Sequence, residues 1–334
     1  MMVLIHKSDT YTATFTDRES STVIVTFDFF DMGKSDFKQP VTRVGGCDDS
    51  SNLHISSKTN DWYTSEGRAQ LVDDCVGILS KYSRIICFGF SMGAHAAVLF
   101  GSLFRAHRIV AISPRIQLDP EQPPFDKRNI EFVQKCNFEE GDLRKIADPS
   151  LEFIVVYDPF SFPDASHAKL FKEHFPGWHY LPFPFSGHNS LQPAKDVKKL
   201  RPMMRHLVLG DVPLSTLHKM YKSFRRESVY YWYHQLLHQR CRSGIARAAA
   251  AFMIDHPGTN NAMLFKLGER LMQAGEYESG LYFLRKAYYF SKSPPQSWTA
   301  RLAAHEIRFV KLTDKRRHAV LLKRRRSRNV NVIE

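Results

Sequence analysis

The sequence predicts an α/β protein in which a largely parallel sheet, covered by helices on both faces, is followed by an all-α helical-repeat module. Three observations carry this. Apolar, β-branched runs alternate with segments of helical period over the first 200 residues, the pattern of strands joined by crossover helices. Beyond about residue 210 the strand signal stops and only helical spacing remains. The charge changes with it: residues 1–200 carry 22 Lys and Arg against 25 Asp and Glu, and residues 201–334 carry 25 against 9. That asymmetry suggests two modules and, for the second, a polyanionic partner.

The elements follow in order. STVIVTFDF (21–29) is a β-branched run of the buried-strand type. Residues 66–83 place Leu71, Val72, Cys75, Ile78 and Leu79 at helical spacing. SRIICFGF (83–90) is a strand and 92–105 a helix rich in small residues. HRIVAIS (107–113) and LEFIVVYD (151–158) are strands. Between them, residues 114–150 are long and rich in Pro and charge, which suits a cap or insertion over a site. Residues 164–175 read as a helix opened by an Asp164 cap, 178–185 as a short strand, and 192–210 as one closing helix.

Residues 211–314 form the predicted helical module. Within 261–294, Leu264, Leu267, Gly268, Leu271, Gly275, Tyr277, Gly280 and Ala287 fall where a tetratricopeptide repeat places its packing residues. The stretch resembles that repeat, except that Gly280 stands where Ala is usual. The neighbouring repeats are degenerate, and a plain stack of helical hairpins has a similar pattern. The chain closes on a basic tail, 315–334, whose KRRHAVLLKRRRSR carries 8 Lys and Arg and no acid.

Composition excludes several classes. With 43% apolar and 13% aromatic residues the chain is globular. Five cysteines, an odd number without a CxxC pair, argue against a disulfide framework and for a reducing compartment. No apolar stretch is long enough for a signal peptide or a membrane span, so the expectation is a cytoplasmic protein. No histidine and cysteine spacing suits a metal, and no glycine-rich phosphate loop follows a strand. No cofactor is therefore expected.

One short stretch carries chemistry. GFSMG (89–93) places Ser91 between two glycines where a strand becomes a helix. A serine hydroxyl is a weak nucleophile at neutral pH and needs a base, usually His, oriented by a carboxylate. Such residues follow in order at later strand ends: Asp158, then His188 in FSGHN (185–189). Strand C-terminal edges are where open α/β sheets place their sites.

On these residues the chain resembles the α/β-hydrolase superfamily across about residues 20–208. The resemblance implies Ser91 as nucleophile, His188 as base and an aspartate as orienter. It implies the Met92 amide as one oxyanion donor, at a helix start where the dipole favours negative charge. A second amide is implied after the 21–29 strand. The His-Gly frequent in the family is replaced there by Phe27-Asp28-Phe29-Phe30, so Phe29 or Phe30 is the candidate. For the acid, Asp158 at the strand end is preferred and Asp164 is the alternative. His95 reads as a packing residue. Arg115 and Arg128 read as surface charge or as orienters of an anionic or sugar substrate, and Trp62 and Tyr63 as pocket lining or core.

The expected function is a serine ester hydrolase acting on a small-molecule or sugar-linked acyl ester through an acyl-enzyme. Two alternatives stand beside it: an acyltransferase with the same residues, and a non-catalytic scaffold of the same fold whose helical module binds a protein partner. The basic tail suits an anionic membrane surface, where each basic residue contributes about 1 kcal/mol of attraction. No recognition motif accompanies the charge to suggest nucleic acid.

Overall fold

The computed structural model describes residues 2–30, 44–119, 125–238 and 243–312. The basic tail at 315–334 lies outside the described residues. Eight strands form one sheet in the order β1-β2-β4-β3-β5-β6-β7-β8. They are β1 (Met2–Lys7), β2 (Tyr11–Thr16), β3 (Thr22–Phe27), β4 (Ser51–Ser57), β5 (Arg84–Phe90), β6 (Arg108–Ile112), β7 (Phe153–Tyr157) and β8 (His179–Pro182). From β4 to β8 every pairing is parallel. The hairpin β1–β2 adds an antiparallel edge that the sequence reading did not include. Its outer strand, MVLIHK, is apolar over its first four residues, yet Met2, Val3 and Leu4 are exposed.

The helices are α1 (Arg68–Leu79), α2 (Met92–Leu103), α3 (Ile130–Val133), α4 (Leu143–Ile146), α5 (Phe162–His174), α6 (Gln192–Asp196), α7 (Leu200–Leu209), α8 (Leu214–Phe224), α9 (Val229–His238), α10 (Ser243–Met253), α11 (Asn261–Gln273) and α12 (Tyr277–Tyr289). Side chains alternate across the sheet with the period of two. Val25, Cys87, Ala111 and Val155 join Leu71 of α1, Val98 of α2 and Phe171 of α5 in one core. Ile24, Ile86, Val110 and Ile154 join Ala194 of α6, Met203 and Leu207 of α7, and Leu217 of α8 in the other. The arrangement is a mostly parallel sheet with helices on both faces, followed by a helical region.

Three boundaries differ from the sequence expectation. The single closing helix is two, α6 and α7, broken around Lys198, which holds a positive φ of 58°. α5 starts at Phe162 rather than at an Asp164 cap. Pro163 fits the first helical turn, where its fixed φ suits the helix and its missing N–H costs nothing. The chain divides into two compact units between Tyr231 and Trp232, later than residue 210. α8 stays with the first unit because Tyr221 stacks on Phe183 with ring centroids 4.4 Å apart and donates to the Pro184 carbonyl at 2.7 Å.

The second unit is helical throughout its described residues, with a further helical stretch at 296–312 after α12. α11 and α12 pair as a hairpin. A Cβ on Gly280 would lie 2.8 Å from the Met272 amide and 2.9 Å from the Gly268 carbonyl, so glycine is what lets the two backbones meet. No helix among the described residues is long and apolar enough to cross a membrane.

Candidate active site

The site begins with the turn from β5 to α2. Ser91 holds φ 51° and ψ −115°, a conformation sparsely populated by non-glycine residues. The surroundings impose it. A Cβ on Gly89 would collide with the Gly93 carbonyl, and one on Gly93 would lie 2.8 Å from the Asp28 carbonyl. The backbone therefore reverses tightly against the end of β3 and lifts the serine above the sheet edge. The Ser91 carbonyl accepts from Ala94 and His95, capping the first turn of α2. Met92 is the first residue of that helix, so its amide is not used within it.

His188 stands in the loop after β8, with Nε2 2.8 Å from Ser91 Oγ. Its Nδ1 lies 2.9 and 3.1 Å from the two carboxylate oxygens of Asp164. Asp158, the preferred acid from the sequence, is placed otherwise. Its Oδ1 accepts from the amides of Phe160 at 2.9 Å and Phe185 at 3.0 Å, and its Oδ2 from Gly187 at 2.7 Å. The order of the two aspartates is thus reversed. At the strand end, the Asp158 carboxylate faces backbone donors of the His188 loop. Asp164, on the first turn of α5, reaches the imidazole itself.

Burial pushes the Asp164 carboxyl up, but the charge and hydrogen bond of His188, the charge of Arg128 and the Ser161 hydroxyl outweigh it and hold it at about 2. An ionised carboxylate only accepts, so His188 Nδ1 must donate to it, which leaves Nε2 free to accept from Ser91 Oγ–H. With that tautomer, the Ser91 hydroxyl faces an unprotonated ring nitrogen at 2.8 Å.

A cavity of about 460 Å³ opens beside the serine. Phe29, Phe30, Phe90, Leu191 and Leu200 form its apolar wall, and Gln192 and Lys195 add polar groups. Both residues considered for the second oxyanion amide, Phe29 and Phe30, therefore border the same space as Ser91. Trp62 and Tyr63 sit behind them in the core. Trp62 packs on Phe30 with ring centroids 5.5 Å apart, and the Tyr63 hydroxyl accepts from the Asp28 amide at 2.7 Å and donates to Ile55 at 3.1 Å. They support the loop after β3 rather than line the cavity. His95 is fully buried and its Nδ1 donates to the Arg115 carbonyl at 3.0 Å.

Neither Arg115 nor Arg128 is a loose surface charge. Both pair with buried Asp126, and Arg128 also donates to Asp164 at 2.9 Å. This cluster was not legible in the sequence, because its members come from distant positions with no fixed spacing. The same holds for Phe90, Leu191, Lys195 and Leu200 of the cavity. Among the described residues no group of three or more His, Cys, Asp or Glu is placed to hold a metal ion.

No protein-family model matches the chain, and no curated protein matches it. Solved structures of similar fold include the capsule O-acetyltransferase of Neisseria meningitidis serogroup A, 12% identical, covering 66% of this chain and 93% of its own, with a TM-score of 0.43. Est1E from Butyrivibrio proteoclasticus is 13% identical over 68% of this chain and 98% of its own, with a TM-score of 0.41. A carboxylesterase structure from the thaumarchaeon Nitrososphaera gargenis is 14% identical over 63% and 100%, with a TM-score of 0.36. At such identities and scores, the chemistry is read from this site's own geometry.

Proposed function

We propose that the first unit is a serine esterase with Ser91 as nucleophile, His188 as general base and Asp164 as its orienter. The observation that carries this is the single imidazole joining Ser91 Oγ at 2.8 Å to a buried, ionised carboxylate at 2.9 Å. Ser91 Oγ attacks the ester carbonyl while His188 Nε2 takes its proton. The carbonyl oxygen becomes an oxyanion, facing the Met92 amide and a second amide from Phe29 or Phe30. The imidazolium then protonates the departing alkoxide, releasing the alcohol and leaving an acyl-Ser91. Water, deprotonated by the same nitrogen, hydrolyses the acyl-enzyme and restores Ser91 Oγ–H.

The cavity favours a substrate larger than an acetyl ester. Its volume is in the range typical of small-molecule sites, about 300–1,000 Å³, and its wall is mainly aromatic and aliphatic. Each added acyl methylene that reaches that wall contributes about 0.8 kcal/mol, close to fourfold in kcat/KM. A small sugar-linked acyl group would leave much of the space to water.

The test is a fluorophosphonate probe read by intact mass and peptide mapping, with nitrophenyl esters of increasing chain length as substrates. One adduct on Ser91 is expected, and Ser91→Ala should lose the label and about 10⁶-fold in turnover while unfolding normally. Labelling that persists in Ser91→Ala would remove this serine from the mechanism.

A further inference from the structure

We propose that Arg128 is a positioning residue of this site: clamped on Asp126, its guanidinium fixes the Asp164 carboxylate in line with His188 and sets a cation beside the imidazole. The inference rests on the Ser91–His188–Asp164 reading and goes beyond it.

Arg128 comes from the segment between β6 and β7. Its Nε and Nη2 hold the two oxygens of Asp126 at 2.8 and 2.7 Å, the bidentate fork that lysine cannot make. Asp126 is buried and is held in turn by His167 Nε2 at 2.9 Å and by Arg115 at 3.3 Å. Arg115 is itself fixed over the Trp62 ring at 5.0 Å. The one guanidinium nitrogen left over, Nη1, donates to Asp164 Oδ1 at 2.9 Å; it also lies 2.9 Å from His188 Nδ1, which faces the same oxygen, so the two N–H groups share that acceptor rather than bond to each other. Ser161 Oγ donates to the other oxygen, Oδ2, at 2.8 Å. Both oxygens of Asp164 are thus pinned, and the direction in which they face His188 is set by groups outside the triad.

The charges give Arg128 a second effect. Asp126 and Asp164 carry two negative charges, and Arg115 and Arg128 carry two positive ones. His167 adds none, because burial above all lowers its tendency to protonate. Among the described residues, Lys195 shares the cavity with His188, and Asp158 accepts from the amides of its loop. With Arg128 present, a proton on His188 joins a neutral cluster and sits against a cation. Without Arg128, it joins a cluster of net charge −1. The fork therefore sets a cation beside His188 while holding its orienter in line.

The test is an NMR titration of the His188 imidazole in the wild type, Arg128→Met and Arg128→Lys, with kcat/KM against pH measured in parallel. Arg128→Met should raise the His188 midpoint and the acid limb of kcat/KM by about one unit, the usual size of an adjacent-charge effect. Its plateau kcat should fall about 10²-fold with KM within a few-fold, the scale of a small misplacement. Arg128→Lys keeps the charge and loses the fork, so the midpoint should return to the wild-type value while kcat stays low. If Arg128→Met does not fold, the neutral Arg128→Gln should show the same rise. Coincident midpoints in wild type and the neutral variants would overturn the proposal. A midpoint that moves in a protein hydrolysing no ester would instead remove the esterase reading and leave the hold of Arg128 on Asp164, and its charge beside His188, standing.

Discussion

Asp158 and Asp164 share the connection from β7 into α5, and both are buried, at 0% and 2% exposure, yet their carboxylates face different partners. Asp158 gathers three backbone amides, two of them in the loop that carries His188. Asp164 meets side chains instead: His188, Arg128 and Ser161. Amides hold a carboxylate still and shape a loop. An imidazole that must gain and lose a proton needs a carboxylate aimed at one ring nitrogen. The difference teaches that burial and position at a strand end do not by themselves decide which carboxylate reaches the imidazole.

Substitution should separate the two roles, beginning with the largest effect. Asp164→Asn keeps the volume but lets the amide donate to Nδ1, which puts the imidazole proton on Nε2, the wrong nitrogen. Turnover by the folded fraction should drop about 10⁴-fold for a nitrophenyl ester, and loss of the carboxylate that faces Arg128 should cost about 1–3 kcal/mol of stability.

Histidines show a parallel contrast. His188 is accessible, whereas burial first of all pushes His95 down to about 4, aided by the charge of Arg115 and against its hydrogen bond to the Arg115 carbonyl. The unfolded value is near 6.5. Because the folded value lies lower, the unfolded chain takes up the proton first, and stability is lost as pH falls from about 6.5 to about 4. The loss should be about 3 kcal/mol at the lower end. Denaturant unfolding at a series of pH values should show this slope in the wild type and a shallower one in His95→Asn.

Asp158→Asn should act on stability more than on chemistry. It replaces one of the accepting oxygens by a donor beside amides, costing about 1–3 kcal/mol, or several degrees in the thermal midpoint. Turnover of the folded fraction should stay within about tenfold. The smallest effect belongs to Ser161→Ala, which removes one hydrogen bond to Asp164. It should cost about 1 kcal/mol, roughly fivefold in kcat, measurable at saturating ester.

The elbow, the turn of residues 89–93 between β5 and α2, was readable from sequence because its constraint is local: Gly89, Ser91 and Gly93 meet within one turn, and only small residues fit at the two glycines. The parallel strands were readable for a similar reason, since burial on both faces writes continuous apolar runs. The choice between the aspartates was not readable. It depends on α5 starting at Phe162, which places Asp164 inside the first turn instead of at its cap. It depends also on Arg128 arriving from the segment before β7. The outer strand β1 carries the apolar run MVLI at 2–5, but this edge strand is largely exposed, so the run does not report burial between two helical layers. The cavity wall gathers Phe29, Phe90 and Leu200 from three separate elements, and only the folded sheet edge brings them together.

The most direct test is the second-order rate at which a fluorophosphonate modifies Ser91 in Asp164→Asn and in Asp158→Asn, each compared with the wild type at pH 7. Both variants contain the same serine in the same elbow, so the rate reports how well His188 is prepared to take its proton. The account predicts a fall of several orders of magnitude for Asp164→Asn and less than about tenfold for Asp158→Asn. Equal rates in the two variants, or a slow Asp158→Asn beside a fast Asp164→Asn, would contradict it.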